Sequence, residues 1–293
     1  IQAVNGNKIN LVRDLLKRGI DIDAKDDVGF TALTYACRFR KSEIAGLLLD
    51  HGADYHVLGN YNMTMLAHAA QGGDSVTVRR LLATGIDVNA VDIHGKTALM
   101  YAASDCFPEE TEALINAGAN VDIQDVDGMT AIMHVFNRGW TDNVAILIKH
   151  GADIHAVNDD GENLLMMAAD ARYDSMVTYF LNSGIDVNAQ DAYGETALMH
   201  ACHVTDLDVI NILLEAGADV NIRSKDGTTA LMIVATDYHR IRMDIIETLI
   251  KAGADLNAVD YAGNSVVDLV EERRYFGLAR FLKEKGAKRA EQL

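Results

Sequence analysis

Proline is nearly missing from this chain: Pro108 is the only one among 293 residues. A chain so poor in the main helix breaker is free to be helical along its length. Cysteine is scarce as well. Cys37, Cys106 and Cys202 are odd in number, widely spaced and without a C-x-x-C pair, which argues against a disulfide framework and is compatible with a reducing compartment. Positive charge is in deficit, with 26 basic against 43 acidic side chains and a net charge of −17. DNA affinity rests on cations that neutralise phosphates, and anionic lipid attracts basic segments, so neither nucleic acid nor a membrane surface is expected as a partner. No apolar run approaches the roughly 20 residues needed to span a bilayer. No signal peptide is visible, which leaves the compartment open and favours the cytoplasm. Apolar residues at 49% and charged ones at 24% exclude a disordered polymer.

What the chain does have is 23 glycines in a strict rhythm. Gly95-Lys96-Thr97-Ala98-Leu99 returns as Gly128-Met129-Thr130-Ala131-Ile132, as Gly194-Glu195-Thr196-Ala197-Leu198 and as Gly227-Thr228-Thr229-Ala230-Leu231. The leading positions 29, 62, 95, 128, 161, 194 and 227 lie 33 apart, and 263 follows after 36. A second series, Gly19, Gly52, Gly85, Gly118, Gly151, Gly184, Gly217 and Gly253, keeps step with the first. Self-similarity at such a period marks a repeat architecture. Thr31, Thr64, Thr97, Thr130, Thr196 and Thr229, with Asn163 and Ser265, stand where a side-chain oxygen caps a first helix. Runs such as Leu207–Leu214 predict a second helix by their apolar spacing. Gly217 and its equivalents then suit the left-handed C′ position. The polar stretch from Ala218 to Gly227 predicts an extended turn or β-hairpin.

A 33-residue unit with D-x-x-G-x-T-A-L at Asp191–Leu198 and G-A-D-V-N at Gly217–Asn221 resembles the ankyrin repeat. The family's T-P-L-H is altered: Ala32, Ala98, Ala131, Ala197 and Ala230 stand at its proline, and Met100, Met133, Met166, Met199 and Met232 at its histidine. The fold class expected is all-α, an α-solenoid of stacked helix pairs with short β-hairpin turns and a concave face. The whole chain, 1–293, is expected to be a single domain. Residues 1–25 form a partial repeat, seven repeats start near 26, 59, 92, 125, 158, 191 and 224, and 260–293 is a polar C-terminal cap. Because the chain starts inside a repeat, at least one further helix is expected upstream.

No chemistry stands out, so no catalytic, cofactor-binding or metal residue is assigned and no enzyme activity is expected. There is no P-loop and no H-E-x-x-H. His68, His134 and His200 recur at one repeat position, but histidines two repeats apart would be roughly 20 Å apart, too far to share one ion. Cys37 and Cys202 replace alanines on a core-facing position, whereas Cys106, in an inter-helix turn before Phe107-Pro108, is expected to be more exposed. The five methionines in one column read as core filler. Asn89, Asn221 and Asn257 are similar to ankyrin asparagines that oxygenases hydroxylate, and their plain reading is turn chemistry.

In the ankyrin family, recognition uses the hairpin tips and the end of the first helix. Carried over residue by residue, the resemblance implies Val28, Phe30, Arg38, Phe39, Tyr61, Met63, Gln71, Ile93 and His94 in the first repeats. The fourth repeat supplies Val126, Asp127, Met129, Asn137 and Arg138. Later repeats supply Asp159, Asp160, Glu162, Asp170, Tyr193, Glu195, His203, Asp226 and Asp237. The early set is apolar and the later set acidic. Residues 101–172 hold thirteen acidic side chains against Arg138, Lys149 and Arg172, whereas 271–293 hold seven basic against four acidic. The function expected is a monomeric, non-catalytic scaffold that binds a protein carrying a basic segment and an apolar anchor. The alternative is an acidic inhibitor that blocks a basic enzyme. A three-residue insertion within Tyr238–Arg242 is expected to be a harmless surface loop.

Overall fold

The computed structural model describes residues 1–137, 142–237 and 241–293. The Tyr238–Arg240 part of the insertion and Arg138 lie outside the described residues. The described backbone is helical. Its only β pairing is three isolated bridges, Val91–Thr97, Val157–Asn163 and Val259–Ser265, so the hairpins are tight turns rather than strands.

The chain folds as two compact units, 1–154 and 155–293. The first unit holds helix pairs α1 (Gln2–Asn5) and α2 (Ile9–Lys17), α3 (Ala32–Arg38) and α4 (Ser42–Asp50), α5 (Met65–Gln71) and α6 (Ser75–Leu82), α7 (Ala98–Ser104) and α8 (Pro108–Asn116), and α9 (Ala131–His134) and α10 (Asp142–Lys149). The second holds α11 (Leu164–Asp170) and α12 (Asp174–Asn182), α13 (Ala197–His203) and α14 (Leu207–Glu215), α15 (Ala230–Ala235) and α16 (Met243–Lys251), and α17 (Val266–Glu272) and α18 (Phe276–Glu284). Within each unit first helices stack on first helices and second on second.

The first helices start where side-chain caps permit. Thr31, Thr64, Thr97, Thr196, Thr229, Asn163 and Ser265 each accept a backbone N–H of the opening turn, a contact worth about 1 kcal/mol. Thr130 departs from the expectation and makes no such bond. There the Met133 N–H bonds to the Thr130 carbonyl at 3.1 Å, so the donor that would reach the hydroxyl is spent on a tighter turn, and α9 soon passes into the 3₁₀ turn Val135–Asn137.

Small and apolar side chains then close the stack. Met100, Met133, Met166, Met199 and Met232 are all buried, as are Cys37 and Cys202; each fully buried apolar side chain stabilises by about 1.5–3 kcal/mol. Cys106 is half-exposed in its turn, as expected. Gly72 is needed for close approach, since a Cβ there would lie 2.4 Å from the Cys37 carbonyl oxygen. Successive turns are latched by Asx side chains. Asn89 Oδ1 accepts the Asn120 N–H at 2.8 Å, Asn188 the Asp219 N–H at 2.8 Å, and Asn221 the Asp255 N–H at 2.7 Å. The recurrent asparagine is therefore a repeat-to-repeat bracket.

Candidate functional site

The hairpin tips stand out from each stack because their backbones pair from one repeat to the next. The Ile93 N–H donates to the Tyr61 carbonyl, and Val126 N–H to His94, each at 2.9 Å. In the second unit Lys225 N–H donates to the Tyr193 carbonyl at 2.8 Å. The pairing is close: a Cβ on Gly194 would meet the Lys225 nitrogen at 2.8 Å.

In the first unit this row presents an apolar ridge. Val28, Tyr61, Ile93 and Val126 are 50–65% exposed. The Tyr61 ring lies 5.4 Å from that of His94. Tyr61 and Asn62 both adopt left-handed backbone, at φ 60° and 58°, where the other repeats carry the tip glycine at the Asn62 position. Such backbone costs about 1–2 kcal/mol per side-chain-bearing residue, and strain of this kind collects at functional sites. Phe39, at the end of α3, is also exposed and stacks on Tyr35 at 6.0 Å.

Two residues assigned to this strip from sequence are instead core. Phe30 is 6% and Met63 7% exposed. Both follow the tip by one residue, where the chain turns inward: the Phe30 ring meets Tyr35 and His68 edge-on at 5.6 and 5.5 Å, with the Arg38 guanidinium over it at 5.8 Å. Apolar side chains at this position gain more by folding under the first helix than by facing water. Met129 and Glu162 at equivalent positions are half-buried, while Arg38, His94 and Asp127 are exposed.

In the second unit the same row is acidic. Asp159, Asp160, Asp170 and Asp226 are exposed. The Tyr193 hydroxyl donates to Asp160 Oδ1 at 3.3 Å, and that carboxylate, by charge and hydrogen bond, raises the phenol's pKa. The Ser224 hydroxyl donates to Asp226 and holds its carboxyl below the usual range. Half-buried Glu195 faces His203, whose Nε2 lies 3.1 and 3.2 Å from its two oxygens; the hydrogen bond to Glu195 raises the imidazole's pKa. Glu195, His203, Asp226 and Asp237 line a groove of about 340 Å³.

Tyr261, outside the strip expected from sequence, is 70% exposed with the Arg223 guanidinium 5.0 Å from its ring. Its place in the repeat equals that of Ile93 and Val126, so the frame carried the signal. Candidate metal ligands also gather within a single repeat, where comparison of one position between repeats does not show them. Asp191, Glu195 and His200 bring one ligand atom each to within 4.8 Å of one another.

Among the described residues no helix is long and apolar enough to cross a membrane. Comparison with curated proteins returns no match. The crystal structure of the human ASB11 ankyrin repeat domain is similar in fold, with a TM-score of 0.68 at 21% identity, over 77% of this chain and 99% of that one. The family model for ankyrin repeats (3 copies) matches residues 1–58, 55–125, 99–191 and 189–260. The chain thus belongs to the ankyrin-repeat family, whose repeats are generally protein–protein interaction scaffolds and typically non-catalytic.

Proposed function

We propose that this chain is a non-catalytic scaffold that binds a protein partner through its hairpin tips and the adjoining ends of its first helices. The observation that carries the reading is the apolar ridge of Val28, Tyr61, Ile93 and Val126, exposed on paired tips. Apolar and aromatic side chains held out in water on a braced backbone suit an interface core. The partner supplies an apolar anchor to this ridge of the first unit; the exposed Asp159, Asp160 and Asp170 of the second unit, taken by themselves, suit a basic segment, since opposite charge speeds association. Residues 1–293 act in this reading as one monomeric ankyrin domain.

The test is affinity capture from source-cell lysate with the wild type, Tyr61→Ser/Ile93→Ser and Asp159→Asn/Asp160→Asn. The first pair should lose the partner, and the second should weaken capture at low salt more than at high salt. Equal recovery of every captured protein by all three forms would sink the assignment. A second reading, an acidic inhibitor of a basic enzyme, is favoured by the exposed carboxylates of the second unit. It requires tight, strongly salt-sensitive binding, and affinity indifferent to salt removes it.

A further inference from the structure

Four frame positions lie where a hairpin tip runs into its first helix. In the repeat starting at 92 they hold Asp92, Lys96, Tyr101 and Ser104; in the repeat starting at 191 they hold Asp191, Glu195, His200 and His203. No other repeat places a metal-competent side chain at all four. The Asp at the first position has a structural task throughout, taking backbone N–H groups of its own tip on Oδ1. In two repeats its Oδ2 accepts a tyrosine hydroxyl, Tyr35 on Asp26 at 2.7 Å and Tyr101 on Asp92 at 2.6 Å, and in the repeat starting at 125 it pairs with His134 Nε2 at 2.7 Å, with no Glu–His pair beside it. The fold therefore does not need histidine there, and it needs no Glu–His pair beside it.

The 191 repeat has both. His200 Nε2 lies 3.1 Å from Asp191 Oδ2, and His203 Nε2 lies 3.1 Å from Glu195 Oε1. The Asp191 side chain is 1% exposed, and its Oδ1 is fixed by the N–H groups of Tyr193 and Glu195, both at 2.8 Å, so Oδ2 is held in one direction. His200 and His203 stand one turn apart on α13, which puts them on one face. Glu195 directly precedes the cap Thr196. Its side chain and that of His203 are partly exposed, which leaves a route for an ion.

We propose that Asp191, Glu195, His200 and His203 form a binding site for a zinc ion, with two imidazole Nε2 atoms and two carboxylate oxygens as donors. Zinc bonds of about 2.0–2.2 Å set neighbouring tetrahedral donors about 3.3 Å apart. The two His–carboxylate pairs already have nearly that spacing. The Asp191, Glu195 and His200 donors lie within 4.8 Å of one another, and His203 joins them through Glu195; both of those side chains are partly exposed and can rotate to close the set. Two carboxylates neutralise the dication, and the protons shared in the His–carboxylate hydrogen bonds leave as the ion enters. The ion clamps the hairpin tip to α13, independently of the partner-binding reading.

The experiment uses the full chain, freed of metal by a chelator and titrated with zinc by calorimetry, alongside thermal unfolding followed by circular dichroism. The wild type should take up one zinc per chain with a rise in unfolding temperature, and cobalt in its place should give the visible bands of a tetrahedral site. Glu195→Gln/His203→Asn, whose side chains are partly exposed and whose fold circular dichroism verifies, should weaken zinc by at least about tenfold and abolish the thermal shift. His51→Gln, remote from the site, should change neither. Absence of stoichiometric binding in the wild type, or equal affinity in the Glu195→Gln/His203→Asn form, overturns the proposal.

Discussion

Acid should weaken the first unit through a buried side chain, His68. Its ring is 1% exposed and neither nitrogen has a hydrogen-bond partner. Burial, helped by the positive charge of Arg38, lowers its pKa from 6.5 to about 4. The repeat frame explains why. Nine residues before Tyr35, Tyr101, His134 and His200 stands an aspartate whose Oδ2 pairs with the ring substituent; nine residues before His68 stands Gly59. The His68 ring occupies the room left by that missing side chain, since a Cβ on Gly59 would lie 2.3 Å from its Nε2. The folded state keeps the imidazole neutral over a range in which the unfolded chain takes up a proton. Its contribution is therefore intact above about pH 6.5 and is lost as the pH falls towards 4. From those two pKa values the loss is about 2 kcal/mol near pH 5 and about 3 kcal/mol near pH 4. His68→Leu removes the titration and keeps an apolar side chain against Phe30. Urea unfolding followed by circular dichroism should show the wild type losing about 2 kcal/mol more than the variant between about pH 7.5 and pH 5. His134, whose pKa burial also lowers, contributes equally to both proteins and cancels. Parallel losses in the two proteins, or an imidazole NMR titration of His68 centred near its ordinary value, would refute the reasoning.

Other consequences are open to simple measurement. Asn143 on α10 is fully buried and donates through Nδ2 to the Ala102 and Ala103 carbonyls at 3.1 and 3.2 Å; Asn143→Leu should cost about 2–3 kcal/mol in urea unfolding because both carbonyls lose a donor, and a neutral result would refute that accounting. Thr205 holds a left-handed backbone at φ 52°, which is unfavourable for a β-branched residue, so Thr205→Gly should stabilise by up to about 1 kcal/mol after the glycine's extra unfolded-state entropy is deducted; a lower melting temperature contradicts it. Burial pushes the thiols of Cys37 and Cys202 up, while Cys106 is half-exposed. A chromogenic disulfide reagent should therefore titrate one thiol quickly in the native protein and three after denaturation, and fast reaction of all three would show that the stack opens.

The sequence by itself determined the architecture. The 33-residue glycine rhythm, the capping threonines and the apolar spacing of the second helices are local signals, and each corresponds to a contact made within one repeat or with the next. The methionine column and the buried Cys37 and Cys202 were legible for the same reason, because any side chain at a given place in a repeat meets nearly the same neighbours. What a shared frame does not fix is how an individual side chain resolves a local competition. Phe30 and Met63 occupy tip-adjacent positions that looked exposed, yet folding under the first helix removes them from water. Thr130 sits at a capping position, yet a tighter first turn takes its donor. His68 lost its partner only because Gly59, distant in sequence by nine residues, has no carboxylate, and Asp191, Glu195 and His200 gather only because a hairpin tip packs against the helix that follows it. Periodicity is written along the chain and can be read from it; burial, pairing and charge depend on distances between side chains, and those exist only once the helices have packed.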